Sequence, residues 1–225
     1  MKTRLIMVVL SLPFFFSCTG SPPGIINTDW MLVYTDDLVL GAVYEELNFY
    51  VQVQDRDGDN DLTEIYLIRN DLNWSWKIDS SNWVSYDQDG EHWLGANGLS
   101  IGTGGNIPRG DYRVLVIDRS GQRDERTITI RQPGIDSGKL NFPEITKVGA
   151  TLRIRSDVAP VLLWFYNSQS ELLTEKYTAT GTFPLSDFLN EKEQQQVTWF
   201  YAYYQNEVEG YGIKSGPYLF DSDGP

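Results

Sequence analysis

Apolar and polar positions alternate with a period of two along most of this chain. In Leu47-Asn48-Phe49-Tyr50-Val51-Gln52-Val53-Gln54, residues Leu47, Phe49, Val51 and Val53 share one face, the pattern of a strand buried on one side. Leu72, Trp74, Trp76 and Ile78 share a face in the same way across residues 72–79. Residues 62–69 are apolar on both sides through Ile65-Tyr66-Leu67-Ile68, which predicts a central strand. Tyr112, Val114 and Val116 point one way within residues 107–121, and Asp118 to Gly121 turns the chain into a further strand over 126–130. No window in this half carries capped apolar spacing of a helix. In the second half, residues 148–155, 161–166, 172–177 and 197–205 read as strands. Residues 183–189 read as a crossover with one helical turn capped by Ser186. Residues 206–210 form a turn into a closing strand at 211–220.

The pattern predicts an all-β chain. Ile107-Pro108-Arg109-Gly110-Asp111-Tyr112-Arg113-Val114-Leu115-Val116-Ile117-Asp118-Arg119-Ser120-Gly121 resembles the late strands of bacterial immunoglobulin-like and fibronectin type III-like modules, with their Pro-x-Gly-x-Tyr-x-Val-x-Val-x-Asp-x-x-Gly run. The resemblance implies two tandem β-sandwiches, an Ig-like one over 27–131 and a fibronectin-like one over 142–221, and gives Tyr112 the role of a corner tyrosine bonded back to the backbone. Residues 132–141, with two glycines, a proline and no apolar run, read as the linker. A rival parse is one larger sandwich of about 190 residues.

The first 17 residues follow different rules. Lys2 and Arg4 precede an apolar run over 5–16, broken only by Ser11 and Pro13, and Ser17-Cys18 follows. These are the parts of an export signal, and the run is far short of the ~20 residues that span a bilayer. Phe15-Phe16-Ser17-Cys18 resembles the lipobox of bacterial lipoproteins, with Phe15 where that family usually has Leu. The resemblance implies removal of residues 1–17 as a signal peptide, palmitate-type acyl chains on Cys18, and a spacer through residue 26. Each buried CH₂ adds ~0.8 kcal/mol to such an anchor. Thr19, in place of Asp, implies the outer membrane as the destination. Cys18 is the only cysteine, so it has no intrachain disulfide partner.

Charge narrows the partners. Loss of Lys2 and Arg4 with the leader takes the formal charge from −13 to −15. Such a surface disfavours nucleic acid, whose phosphates need a basic face, and leaves membrane contact to the lipid rather than to basic residues. Aromatic content of 13 % is far too rich for a disordered tether.

Candidate chemistry is concentrated in few places. Asp55, Asp57, Asp59 and Asp61 alternate through a strand-connecting loop and resemble the start of an EF-hand, which implies Ca²⁺, a cation taking 6–8 oxygen ligands. Asn60 stands where that loop has glycine and Tyr66 where it has its bidentate Glu. The same aspartates also suit an acidic turn bonding its own amides. Arg109-Gly110-Asp111 spells an adhesion tripeptide and equally suits an ordinary turn. Trp74 and Trp76 read either as a sugar-binding platform or as core filling beside Leu72 and Ile78. His92 is the only imidazole, which excludes multi-histidine zinc sites and leaves a serine triad one candidate base. The chain therefore reads as a non-catalytic, lipid-anchored envelope protein presenting sandwich domains to other envelope or surface proteins. The alternative is a ligand-binding module, for carbohydrate through Trp74 and Trp76 or for calcium through the Asp55–Asp61 loop.

Overall fold

The computed structural model describes residues 21–55, 61–102, 104–131 and 135–220. Its first half comprises β1 (Gly24–Asp37), β2 (Ala42–Gln54), β3 (Leu62–Arg69), β4 (Trp74–Asp79), β5 (Val84–Gln88), β6 (Glu91–Leu99), β7 (Gly110–Asp118) and β8 (Arg123–Ile130). Its second half comprises β9 (Glu144–Val148), β10 (Thr151–Arg155), β11 (Val161–Tyr166), β12 (Leu172–Thr178), β13 (Gly181–Pro184), the short helix α1 (Glu191–Gln196), β14 (Trp199–Asn206) and β15 (Tyr211–Leu219). The fold is all-β. No helix among the described residues is long and apolar enough to cross a membrane.

The strands form a four-stranded sheet, β4-β3-β7-β8, a three-stranded sheet, β13-β10-β9, and an eight-stranded sheet, β12-β11-β14-β15-β1-β2-β6-β5. The eight-stranded sheet serves both halves. Its β1-β2-β6-β5 end packs on the four-stranded sheet around Leu32, Leu47, Phe49, Ile65, Leu67 and Val114. Its other end packs on the three-stranded sheet around Leu152, Val161, Leu163, Phe165 and Phe200.

Strand β1 is the seam. Leu32 to Asp37 pair in parallel with Tyr211 to Gly216 of β15, while β1 also runs antiparallel to β2 over its whole length. A strand flanked on both sides and covered on both faces reads as a continuous apolar run. Met31-Leu32-Val33-Tyr34 is that run, with Leu32, Val33 and Tyr34 exposed by 0, 2 and 1 %. The two halves thus share one hydrogen-bonded ladder. Ile135, Leu140 and Phe142, from the same connection, pack on Tyr34, Tyr204, Tyr211 and Ile213, and the Tyr34 hydroxyl accepts the Ile135 N–H at 3.2 Å.

Several local features differ from the sequence expectation, each for an identifiable reason. The spacer expected through residue 26 already enters the sheet at Gly24, opposite Gln54. The single strand expected over 148–155 is a hairpin, because Gly149 at φ +55° turns β9 into β10. Leu72 leaves the Trp74/Trp76/Ile78 face: Asn70–Leu72 make a 3-10 turn that exits through Asn73 at φ 50°, and Leu72 is 51 % exposed. Leu185–Asp187 form an uncapped 3-10 turn around Ser186. The helix starts later, where Asn190 and Glu193 form a reciprocal capping box. Tyr112 is fully buried, and its hydroxyl donates to the Pro108 carbonyl at 2.7 Å, as a corner tyrosine does.

Candidate functional site

The face of the eight-stranded sheet turned away from both cores is aromatic. Alternation alone puts it there. In Trp199-Phe200-Tyr201-Ala202-Tyr203-Tyr204, Phe200 and Ala202 enter the core, so Trp199, Tyr201 and Tyr203 point outward. In β11, Val161, Leu163 and Phe165 enter the same core, which sends Trp164 and Tyr166 outward. In β2, Leu47, Phe49 and Val51 face the first core, leaving Glu46, Asn48 and Tyr50 outside. Across the seam lies a groove of about 550 Å³, with Tyr50 and Tyr86 on one side and Trp164, Tyr166 and Tyr201 on the other. That volume lies within the ~300–1,000 Å³ of small-ligand sites.

Two glycines shape the groove. Gly95 sits directly opposite Tyr50, and a Cβ there would lie 1.9 Å from the Phe49 carbonyl oxygen and 2.7 Å from Tyr50 Cδ1. A Cβ at Gly212 would lie 2.7 Å from Tyr203 Cε2. Both tyrosines therefore lie down across a bare neighbouring strand instead of standing off it. Tyr203 stacks on Trp164 with centroids 4.8 Å apart, and Tyr50 meets Tyr86 edge-on at 4.8 Å. Val33, Leu162 and Tyr203, flanked by Met31 and Trp164, form a small apolar cluster beneath.

The polar groups are sparse. Glu46 and Lys214 form an ion pair that bridges β2 and β15 over the seam, and Lys214 Nζ lies 5.0 Å above the Tyr201 ring. Burial, reinforced by Glu46 and Asp37, pushes the Tyr201 phenol up to about 12. Burial does the same for Tyr203. Both are neutral hydroxyls at physiological pH. Tyr50 donates to Asn97 Oδ1 at 2.5 Å. The Glu175 carboxylate, exposed on β12 at the rim, has no hydrogen bond or ion pair among the described residues. The site thus offers flat π faces bordered by a few acceptors and one paired cation.

Residues singled out from the sequence lie elsewhere. Cys18, Asp57 and Asp59 fall outside the described residues. Asp55 and Asp61 do converge, together with Asp118 from the end of β7: one oxygen from each carboxylate lies within 4.8 Å of the others. Trp74 and Trp76 are partly buried against the first core, with Trp76 Nε1 donating to the Ser100 carbonyl at 3.0 Å. Arg109 does not project as an adhesion tripeptide needs. Its guanidinium grips Glu45 at 2.7 and 2.8 Å, while Asp111 accepts from Thr129 at 2.6 Å. His92 Nδ1 lies 2.7 Å from Asp87 in the β5–β6 hairpin. The groove residues escaped sequence reading because each looked like the solvent face of its own strand. The available signals were aromatics on both faces of 199–204 and a glycine placed against a tyrosine.

No family model and no curated protein matches the chain. Among solved structures it is similar to Tp47, the 47-kilodalton lipoprotein of Treponema pallidum, at 14 % identity and TM-score 0.37, over 89 % of this chain and 52 % of that one. The chain thus spans about half the length of Tp47. It is also similar to the N-terminal Ig1-2 module of the Drosophila receptor protein tyrosine phosphatase DLAR, at 16 % identity and TM-score 0.36, over 87 % of this chain and 98 % of that one.

Proposed function

We propose that this protein is a non-catalytic binding protein of the bacterial envelope, held to the outer membrane by lipid on Cys18, and that it takes a neutral carbohydrate chain in the aromatic groove. The observation that carries this reading is the groove itself. Pyranose rings present C–H faces that rest on indole and phenol π surfaces, whose faces are electron-rich. Their hydroxyls need acceptors and donors at the rim, supplied by Glu175, Asp29, Asn48 and the neutral phenols. A formal charge of −13 disfavours anionic polymers and leaves uncharged glycans as the better fit. Glu46, at the groove floor, is already paired with Lys214.

The lipid supplies location and the common sheet supplies contact. Intrinsic tryptophan fluorescence during titration with neutral oligosaccharides released from the organism's own envelope tests the groove. A saturable change, lost in Trp164→Ala but kept in Trp74→Ala, is expected. Absence of any response at millimolar sugar, or crosslinking of the groove to an envelope protein instead, overturns the carbohydrate reading.

A further inference from the structure

We propose that Asp55, Asp61 and Asp118 form a binding site for a hard divalent cation of calcium's size, at the end of the first sandwich where the chain enters from its N-terminal spacer. The inference is independent of the groove. Asp55 follows β2, Asp61 precedes β3 and Asp118 ends β7, so topology gathers three carboxylates that sequence separation hides.

Asp118 is the informative member. It is 2 % exposed. Its Oδ1 is fully used, accepting the Gln122 N–H at 2.8 Å and the Ser120 hydroxyl at 2.9 Å. Its Oδ2 is buried with no hydrogen-bond partner among the described residues. A carboxylate oxygen taken out of water with nothing in exchange is costly, and here two more carboxylates stand beside it. Arg119 pairs with Asp61 at 3.8 Å from a side chain that is 76 % exposed, and this pair leaves the buried Asp118 Oδ2 without a hydrogen bond among the described residues. A bound cation supplies the partner that the Asp118 Oδ2 lacks and offsets the repulsion among the three carboxylates.

One oxygen from each carboxylate lies within 4.8 Å of the others, close enough for all three to meet one cation. Calcium takes 6–8 oxygen ligands in a flexible shell, whereas magnesium demands a rigid octahedron and gives up its water reluctantly, so three carboxylates held by separate strands suit calcium better. Water fills the remaining coordination positions. The backbone presets the geometry: the Arg119 N–H donates to the Asp61 carbonyl at 2.7 Å, locking the β7 end to the start of β3. Ser21 Oγ reaches Asp55 at 3.3 Å, so the ion consolidates the point where the spacer meets the fold.

Calorimetric titration of the full chain in detergent with CaCl₂, alongside thermal melts in CaCl₂, MgCl₂ and EDTA, tests the site. The expected result is a saturable heat with Kd on the order of 10⁻⁴–10⁻³ M, the range of extracellular modules. At ten times Kd the folding equilibrium constant rises about 11-fold, and Mg²⁺ does less. Asp118→Asn keeps an Oδ1 acceptor for Gln122 and Ser120 while replacing the unbonded oxygen with an amide, and it is expected to abolish the calcium response. If that variant fails to fold, Asp61→Asn takes its place. No heat and no midpoint shift in the wild type overturns the proposal, as does a variant that titrates like the wild type.

Discussion

Truncation of Glu45 is expected to be among the most damaging single changes in this protein. Glu45 is 1 % exposed. It receives both ends of the Arg109 guanidinium, at 2.7 and 2.8 Å, and the backbone N–H of Ile107 at 2.8 Å. In Glu45→Ala the guanidinium keeps its charge and its bond to the Ile107 carbonyl but loses its carboxylate, and the Ile107 N–H loses its acceptor. Breaking a buried pair from one side costs about 3–5 kcal/mol, and an unsatisfied buried amide about 1–3 kcal/mol. Arg109 retains 25 % side-chain exposure, so water recovers part of its hydration and the total settles near the lower sum, about 4 kcal/mol. With a urea slope of about 2 kcal/mol/M the midpoint falls by about 2 M. Glu45→Gln keeps one acceptor for Ile107 and is expected to lose about half as much. Urea unfolding followed by tryptophan fluorescence and far-UV circular dichroism measures both. Because the pair is buried, 0.5 M NaCl leaves the difference nearly unchanged. The double variant Glu45→Ala/Arg109→Ala is expected to be less destabilised than the sum of its singles. A Glu45→Ala midpoint within about 0.5 M of the wild type refutes the reasoning.

Further outcomes follow from the groove, the buried phenols and the proposed lipid site at Cys18. Gly95→Ala, whose Cβ would sit 1.9 Å from a backbone oxygen, is expected to part β2 from β6 and yield insoluble protein. Gly212→Ala meets only the far end of Tyr203, at 2.7 Å from Cε2, so it is expected to fold, by circular dichroism, and to lose oligosaccharide binding by displacing that ring. Tyr201 and Tyr203 are raised to about 12 from 10.0. The folded state therefore holds protons the unfolded state has released, and their stability contribution, complete below pH 10, is lost as pH rises towards 12. Phenolate absorbance at high pH is expected to show a late fraction that appears together with unfolding; all 13 tyrosines titrating near pH 10 in the folded protein contradicts this. Cys18→Ser is expected to abolish palmitate labelling and release the protein from membranes; labelling that persists removes the anchor from the proposed function.

Strand faces were legible in the sequence, whereas strand partners were not, and the difference is physical. The period of a strand is local, so Leu47/Phe49/Val51 and Tyr112/Val114/Val116 announce their inward side from neighbours two residues away, and all six are fully buried. The pairing of β1 with β15 joins Leu32 to Tyr211. No local signal encodes that register, beyond the fact that Met31-Leu32-Val33-Tyr34 is apolar on both faces and needs cover on both. The groove and the acidic cluster are products of such long-range pairing. Tyr203 and Tyr50 look like ordinary solvent-face residues until Gly212 and Gly95 are known to lie beneath them. Asp118 looks like the turn residue it also is, with one oxygen serving Gln122 and Ser120, until β7 is set beside β3. The acidic loop itself was visible as a run of aspartates, yet the buried member of its cluster comes from 57 residues beyond Asp61. In a fold whose two halves meet in one sheet, both proposed sites lie where distant strands are laid side by side, so the residues most worth mutating are those whose partners only the topology reveals.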